Sequence, residues 1–423
     1  MDVSMRATLE FFLRRLITTG SLTVRWPSGR ETQFDGATPG PHARIVIYTT
    51  TAIRRLLLNP SLAFGECYMD GSLEPVDGTI ADVLGLLSVN IMRNPGGHSL
   101  LGLHYRLSDW RRRLDQYNPA RRSQRNVAHH YDLNGRLYSL FLDRDRQYSC
   151  AYFPRGDETL EEAQQAKQRH IAAKLCLDRP DLSVLDIGSG WGGLGLFLAR
   201  EYGARVLGIT LSSEQLAESR ARAEAEGLQD RVRFEMLDYR ALEGRFDRIV
   251  SVGMFEHVGV GYYRAFFDAV NRRLDPNGVA LLHAIGRSDG PASTNPWIRK
   301  YIFPGGYCPA LSEVLPPIER SGLVVTDIEI LRLHYAMTLR AWRRRFAANR
   351  DAIAALYDER FCRMFEFYLA GSEMSFRHMG HMVFQIQLAH VQTAAPLTRD
   401  YITAAEQAGR LTTASRESAA ATR

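Results

Sequence analysis

The chain has 423 residues, 45% hydrophobic and 24% charged, with a formal net charge of +6. This is ordinary globular composition, long enough for two or three domains, and it excludes a disordered or fibrous chain. No run of about 18 apolar residues occurs, which excludes a membrane-spanning helix; the small basic excess suits nucleic acid, phospholipid head groups or an anionic cofactor alike.

In chain order, residues 1–20 hold one apolar cluster interrupted by Arg14 and Arg15, which does not read as a secretory signal. Residues 9–17 have amphipathic helical spacing. Residues 21–26 and 43–48 read as strands, and the Gly- and Pro-rich stretch 27–41 between them as turns. Residues 79–89 are again helical. No catalytic constellation appears here, so 1–105 reads as a small α+β accessory domain, engaging lipid or a second copy. Residues 106–125 form a basic linker, with Arg106, Arg111, Arg112, Arg113, Arg121, Arg122 and Arg125 against Asp109 and Asp115. It is either a solvated connector or a patch for anionic phosphates, where each cation is worth about 1 kcal/mol.

From 126 to 395 short apolar runs alternate with helical segments. Strands are expected at 183–187, 205–209, 232–236, 248–252 and 278–283, with helices at 192–202 and 213–226. This alternation requires crossover helices and predicts an α/β fold with a mostly parallel, doubly wound sheet. Residues 332–350 carry Arg332, Arg340, Arg343, Arg344, Arg345 and Arg350 and no acid, as a solvated face or a phospholipid contact. The tail, 396–423, reads as flexible. The cysteines, Cys67, Cys150, Cys176, Cys308 and Cys362, are odd in number and include no CxxC pair. A disulfide framework or zinc site is not expected, and reduced thiols fit a cytoplasmic protein that meets a membrane only from its inner surface.

Strand 183–187 runs into Gly188-Ser189-Gly190-Trp191-Gly192-Gly193 and then a helix, the first strand-turn-helix of a nucleotide-binding α/β domain. The spacing departs from the G-x-G-x-x-G of dinucleotide loops. The second strand ends in Gly208-Ile209-Thr210-Leu211-Ser212, followed by Gln215, with no carboxylate for a ribose, so NAD is disfavoured. Asp186, two residues before the first glycine, gives Asp-x-Gly-x-Gly, which resembles class I methyltransferases that bind S-adenosylmethionine (SAM). Asp238 and Tyr239, after the third strand, stand where such enzymes hold adenine; an ordinary turn is the other reading.

Seven segments in order resemble the cyclopropane-fatty-acid synthase family, which includes mycolic acid cyclopropane synthases. They are His130-Tyr131-Asp132-Leu133, Gln147-Tyr148-Ser149-Cys150-Ala151-Tyr152-Phe153, Leu160-Glu161-Glu162-Ala163-Gln164 and Gly208-Ile209-Thr210-Leu211-Ser212. Further on come Val252-Gly253-Met254-Phe255-Glu256-His257-Val258-Gly259, Leu282-His283-Ala284-Ile285-Gly286 and Pro296-Trp297-Ile298-Arg299-Lys300-Tyr301-Ile302-Phe303-Pro304-Gly305-Gly306. The resemblance spans residues 126–392 and implies a Rossmann-like class I methyltransferase sheet. It also likens 1–105 to the extra domain of longer bacterial members.

The resemblance further implies that SAM is held by Tyr148, Ser149, Gly188, Gly190, Thr210 and Gln215, with Trp191 and Gly192 completing the loop. It implies a bicarbonate ion held by Cys150, Glu256, His283 and Tyr335, with Ile285 beside them. His257 is expected to point elsewhere. The sequence departs from the family at Ser189, where a cysteine is familiar, and at Asn134-Gly135, where the order is reversed. The family's late cysteine falls at Ser372, which disfavours a covalent cysteine mechanism.

The implied chemistry makes demands on the site. An alkene is a weak nucleophile and a sulfonium methyl a strong electrophile, so in-line binding supplies much of the rate. The resulting carbocation needs a dry pocket, and aromatic faces can stabilise it. Tyr301, Phe303, Tyr307 and Phe365 are candidates, or core packing. Ring closure needs a small base within hydrogen-bond reach of the new methyl group. The leading expectation is cyclopropanation of an unsaturated phospholipid acyl chain at a membrane surface. The rival is a related fatty-acyl C-methyltransferase that leaves a methyl or methylene branch. A small-molecule or nucleic-acid methyltransferase and a lipid-binding protein with a relic cofactor fold are weaker. No nucleic-acid module is evident. A homodimer is the family habit, though no seam is visible.

Overall fold

The structure is a computed structural model that describes residues 2–93 and 135–408. The linker 106–125 and the His130-Tyr131-Asp132-Leu133 segment lie outside the described residues. Two compact units emerge. The first takes residues 2–93, Ala292–Gly306 and Ala336–His381; the second takes 135–291, Tyr307–Tyr335 and 382–408. The first unit is thus discontinuous, whereas the sequence suggests an accessory domain at 1–105 and a single catalytic stretch at 126–395.

The first unit opens with helix α1 (Asp2–Leu16), then strands β1 (Thr19–Arg25), β2 (Glu31–Asp35) and β3 (Thr38–Ile47). Helices α2 (Thr50–Leu58) and α3 (Pro60–Met69), strand β4 (Leu73–Val76) and helix α4 (Ile80–Arg93) follow. The sheet order is β2-β1-β3-β4, with β1 parallel to β3 and antiparallel to β2. Strand β2 falls inside the stretch read as turns. Thr32 and Phe34 are buried while Glu31, Gln33 and Asp35 face solvent, so a period of two prevails over the flanking Gly and Pro. Helix α4 packs on β1 and β3.

The second unit contains helices α5 (Gly135–Phe141) and α6 (Leu160–Lys174), then β5 (Ser183–Ile187), α7 (Gly193–Tyr202), β6 (Arg205–Thr210) and α8 (Ser213–Ala225). Next come β7 (Val232–Met236), β8 (Phe246–Val252), α9 (Tyr263–Arg273) and β9 (Leu274–Arg287). Helix α10 (Pro296–Tyr301) belongs to the first unit, and α11 (Leu311–Ser321) and β10 (Val324–Leu331) to the second. Helices α12 (His334–Ala348, from Ala336 on), α13 (Arg350–Leu356) and α14 (Glu359–His378) return to the first, and β11 (His381–Ala389) continues the second from Met382.

The large sheet has the order β10-β11-β9-β8-β5-β6-β7. Strand β5 pairs in parallel with both β6 and β8, so the winding reverses there. At one edge β10 and β11 pair antiparallel. Alternate residues of β5 enter different cores: Leu185 and Ile187 join Ile249 and Phe255, while Val184 joins Phe197 and Val206. Both faces are covered, as a doubly wound sheet requires. This is the α/β class expected from the sequence.

In the first unit α14 supplies Ala370 to the core of Leu22, Val24, Phe34 and Ile45. Trp297 of α10 packs on Gly65 so closely that a Cβ there would stand 2.5 Å from the indole nitrogen. Two arginines of the 332–350 stretch are in ion pairs of the unit itself: Arg343 with buried Glu373 at 3.1 Å, and Arg350 with Glu359 and Glu366. Arg332 and Arg344 remain exposed. The tail does not begin at 396, because residues 400–408 are helical and bury Ile402.

Candidate cofactor and reaction site

The chain enters the site through the turn after β5. Gly188, Gly190 and Gly192 all have positive φ, at +86°, +56° and +81°. An added Cβ at Gly188 would lie 2.7 Å from the Met254 side chain, and at Gly192 2.6 Å from Phe234. At Gly190 it would meet nothing within 4 Å, because that residue borders a cavity. The cavity follows the carboxyl ends of β5, β6 and β8, where the sheet reverses its winding and α/β folds bind ligands.

Of the expected cofactor residues, Tyr148, Ser149, Asp186, Gly188, Gly190, Trp191, Thr210, Gln215, Asp238 and Tyr239 line the cavity. Gly192 does not; it caps α7 and lets that helix approach Phe234. Thr210 Oγ1 donates to Gln215 Oε1 at 2.9 Å, and Ser212 caps α8 by accepting from the Gln215 N–H. Asp238 accepts from the Arg240 backbone N–H at 3.0 Å and from its guanidinium at 2.8 and 2.7 Å. Arg240, the next residue of the segment expected to hold adenine, is also on the wall. His257 had no signal as a site residue, yet it lines the cavity instead of pointing elsewhere. Burial pushes its imidazole down to about 4, so it is neutral.

Lys167 of α6 is the other residue without a sequence signal. Its ammonium is 1% exposed and donates to Gln147 Oε1 at 2.6 Å and Ser149 Oγ at 2.9 Å. Gln164, one turn earlier on α6, donates to the carbonyls of Gln147 and Ser149. This helix face thereby fixes the cavity wall at 147–149. Burial lowers Lys167 to about 8, against the pull of Asp143. Asp186 is 2% exposed, and its Oδ2 has no hydrogen-bond partner. Burial raises its carboxyl to about 7, with Lys167 opposing. A buried acceptor without a partner, in a cavity with an open glycine corner, fits a cationic ligand group such as an ammonium.

Beside this cavity β8 and β9 pair in register at Val252 and His283, and the Gly253 N–H donates to the His283 carbonyl at 2.9 Å. Glu256 sits in the single 3-10 turn Phe255–His257. Its Oε1 accepts from the Ile285 N–H at 2.6 Å, while its buried Oε2 has no partner. Burial raises this carboxyl to about 7, with the Ile285 bond opposing. His283, 2% exposed, meets Gln385 Nε2 through Nδ1 at 3.1 Å. Burial holds the ring neutral, well below its usual range. Because Gln385 donates to Nδ1, the His283 proton stands on Nε2.

The Ile285 bond thus ties Glu256 to β9, two residues beyond His283 on the same strand. Cys150 and Tyr335 are buried on two other segments, at 1% and 7% exposure. Cys150 Sγ donates to the Ala151 carbonyl at 3.3 Å. The segments of Cys150 and Tyr335 meet through their neighbours, where the Phe153 N–H donates to His334 Nδ1 at 2.9 Å. Among the proposed cation-stabilising aromatics, Tyr307 is buried in the second unit and its hydroxyl donates to Glu313. Tyr301, Phe303 and Phe365 lie in the first unit, where Tyr301 donates to Glu66, Phe303 packs on Tyr368, and Phe365 stacks on Phe346.

A parallel sheet with its cavity at the reversal point, a left-handed glycine turn and no ribose carboxylate define a class I SAM-dependent methyltransferase. Comparison with known proteins narrows this. The family model described as mycolic acid cyclopropane synthetase matches residues 118–386, and the chain belongs to that family. A second model, a domain of unknown function, matches residues 9–90. The chain is 40% identical over 355 residues to the cyclopropane-fatty-acyl-phospholipid synthase of Escherichia coli K12, covering 84% of this chain and 88% of the relative. It is 39% identical over 362 residues to a probable fatty acid methyltransferase of Pseudomonas putida, covering 81% and 86%. The crystal structure of mycolic acid cyclopropane synthase CmaA1 with SAH and CTAB superposes with a TM-score of 0.60 at 34% identity, covering 65% of this chain and 99% of that one. The protein is a SAM-dependent enzyme of the cyclopropane synthase family.

Proposed function

We propose that this enzyme transfers a methylene unit from SAM to the cis double bond of an unsaturated acyl chain in membrane phospholipid, closing a cyclopropane ring. Among the described residues no helix is long and apolar enough to cross a membrane. In this reading the lipid is taken from the inner membrane surface. Tyr148, Ser149, Asp186, Gly188, Gly190, Trp191, Thr210, Gln215, Asp238 and Tyr239 hold SAM, which supplies the electrophilic methyl group. Cys150, Glu256, His283, Tyr335 and Ile285 hold a bicarbonate ion, which supplies a small fixed base.

One observation carries the ring-closing reading. Glu256 is clamped through Oε1 by the Ile285 N–H and keeps Oε2 buried and unpartnered, beside a neutral His283 whose proton stands on Nε2. An acceptor and a donor at adjacent strand ends suit an oxyacid anion carrying its own proton. They hold that proton balance in a site that excludes water, which the carbocation requires.

The similarity to a probable fatty acid methyltransferase supports a second outcome, a methyl or methylene branch formed after the same first step. Lipid from cells expressing the chain distinguishes the two by mass spectrometry and proton NMR. Addition of one CH2 with upfield ring-methylene protons is the expected result. The same mass gain with a methyl doublet or an exocyclic methylene would replace ring closure by branching. Unchanged lipid, with SAM bound, would overturn the substrate class.

A further inference from the structure

Away from the cavity wall, α6, β10 and the C-terminal segment share a second charged cluster. The His170 side chain is 3% exposed, with Nδ1 2.6 Å from Glu406 and Nε2 2.8 Å from Glu329. With a carboxylate on each ring nitrogen, the ring is an imidazolium donating twice. Burial alone would discharge it, but the two carboxylates outweigh that and raise its pKa. Lys174, fully buried, bonds Glu329 and lies 3.5 Å from Asp327. Arg399 reaches both Asp327 and Glu329 at 3.3 Å. Three positive groups thus face three negative ones. Arg399 and Glu406 come from the C-terminal segment, beyond residue 386 where the family match ends. Gln387 ties the same segment down by donating to the Tyr401 hydroxyl at 2.8 Å.

This cluster touches the reaction site through rings. His170 stacks on Tyr152 with centroids 4.3 Å apart and planes within 17°. Tyr152 stacks in turn on His334 at 4.9 Å. Tyr152 stands two residues after Cys150, and His334 immediately precedes Tyr335. Buried ion networks add little stability over apolar packing of the same volume, but they fix orientation.

We propose that this cluster is a latch by which the C-terminal segment sets the geometry of the reaction site. Glu406 and Glu329 fix the His170 ring plane, and the column His170–Tyr152–His334 aligns the two segments that carry Cys150 and Tyr335. His170 and Glu406 are positioning residues. The assignment rests on the reading above that Cys150 and Tyr335 serve the reaction.

The test is hydrogen–deuterium exchange by mass spectrometry on the full chain, wild type against Glu406→Gln, with His170→Asn as a second variant. Glu406→Gln is the milder change and decides the matter if His170→Asn fails to fold. Exchange in peptides covering 151–155 and 333–337 is expected to rise about ten- to hundredfold, as for loss of one charged hydrogen bond. The glycine turn, 186–193, should be unaffected. Turnover on vesicles of unsaturated phospholipid should fall ten- to hundredfold, roughly the cost of misplacing reacting groups, while SAM affinity stays within about twofold. Wild-type exchange in both segments of Glu406→Gln would overturn the latch. So would exchange rising equally in the glycine turn, which marks general loosening. If exchange responds as expected but the wild type converts no phospholipid, the latch stands and the substrate reading falls.

Discussion

Asp186, Glu256 and Lys167 are ionisable side chains removed from water, and each has fewer partners than its charge demands. Asp186 Oδ2 and Glu256 Oε2 have none, and both carboxyls sit at about 7 rather than in the usual acid range. A carboxyl raised in the fold favours its protonated form, so SAM binding that uses ionised Asp186 should tighten as pH rises through about 7. Calorimetry from about pH 6 to about pH 8 should show that trend in the wild type and a flat profile in Asp186→Asn. Glu256→Gln keeps the Ile285 contact but loses the acceptor. Product formation should drop by about 10²–10⁴-fold, the range for a positioned acid–base group, with SAM affinity nearly unchanged. Wild-type turnover would remove Glu256 from the reaction. Lys167→Met strips the donors from Ser149 and Gln147, and SAM binding should weaken about ten- to hundredfold. The glycine turn and Asp186 were legible because their spacing after a strand is itself a signal, and Glu256 through the family resemblance. Lys167 was not. It occupies an ordinary polar position of α6, and only tertiary packing turns that face inward.

Among the elements, the turn between β5 and α7 separates two kinds of glycine. Gly188→Ala combines a left-handed backbone with a Cβ 2.7 Å from Met254. It should cost about 2–4 kcal/mol of stability, read by thermal or urea unfolding. Gly190 has the same handedness but open space, so Gly190→Ala should cost only about 1–2 kcal/mol and act chiefly on SAM affinity. The strands around this turn could be read from short β-branched runs, and β5 to β8 fall within a residue or two of expectation. Strand β2 could not, since its two buried positions sit among turn formers. Helices α12 to α14 carry no site motif that sets them apart from the catalytic stretch, so their membership of the first unit was invisible. The C-terminal helix at 400–408 was hidden by an Ala- and Thr-rich composition that resembles a frayed end.

For the whole molecule, the proposed encounter with a lipid surface would draw on the arginines of residues 106–125. Reversing Arg111, Arg112 and Arg113 to Glu should weaken sedimentation with anionic vesicles, most at low salt, where screening is least. Equal binding at all salt concentrations would make the stretch a plain connector. Family, fold class and cofactor were all accessible from motif order, because the motifs that carry the resemblance are tied to strand ends. The partition into units was not, because it depends on which helices share a core.

That shared core has a consequence for synthesis. The four-stranded sheet buries Leu22, Val24, Phe34 and Ile45 with Ala370, a residue made several hundred positions later. At roughly 5–20 residues per second, the first strands leave the ribosome tens of seconds before their last packing partner exists. The N-terminal sheet can gather most of its core early, from residues 17–86, but the patch that Ala370 covers stays open until that helix is made. The parallel strands β5 to β9 emerge in one run, so that part of the large sheet can pair while the first unit still exposes apolar surface; β11 joins only after Ala370 has been made. A chaperone that shields residues 19–93 on the nascent chain would act on this interval, and a stop codon before residue 370 would leave that surface permanently uncovered.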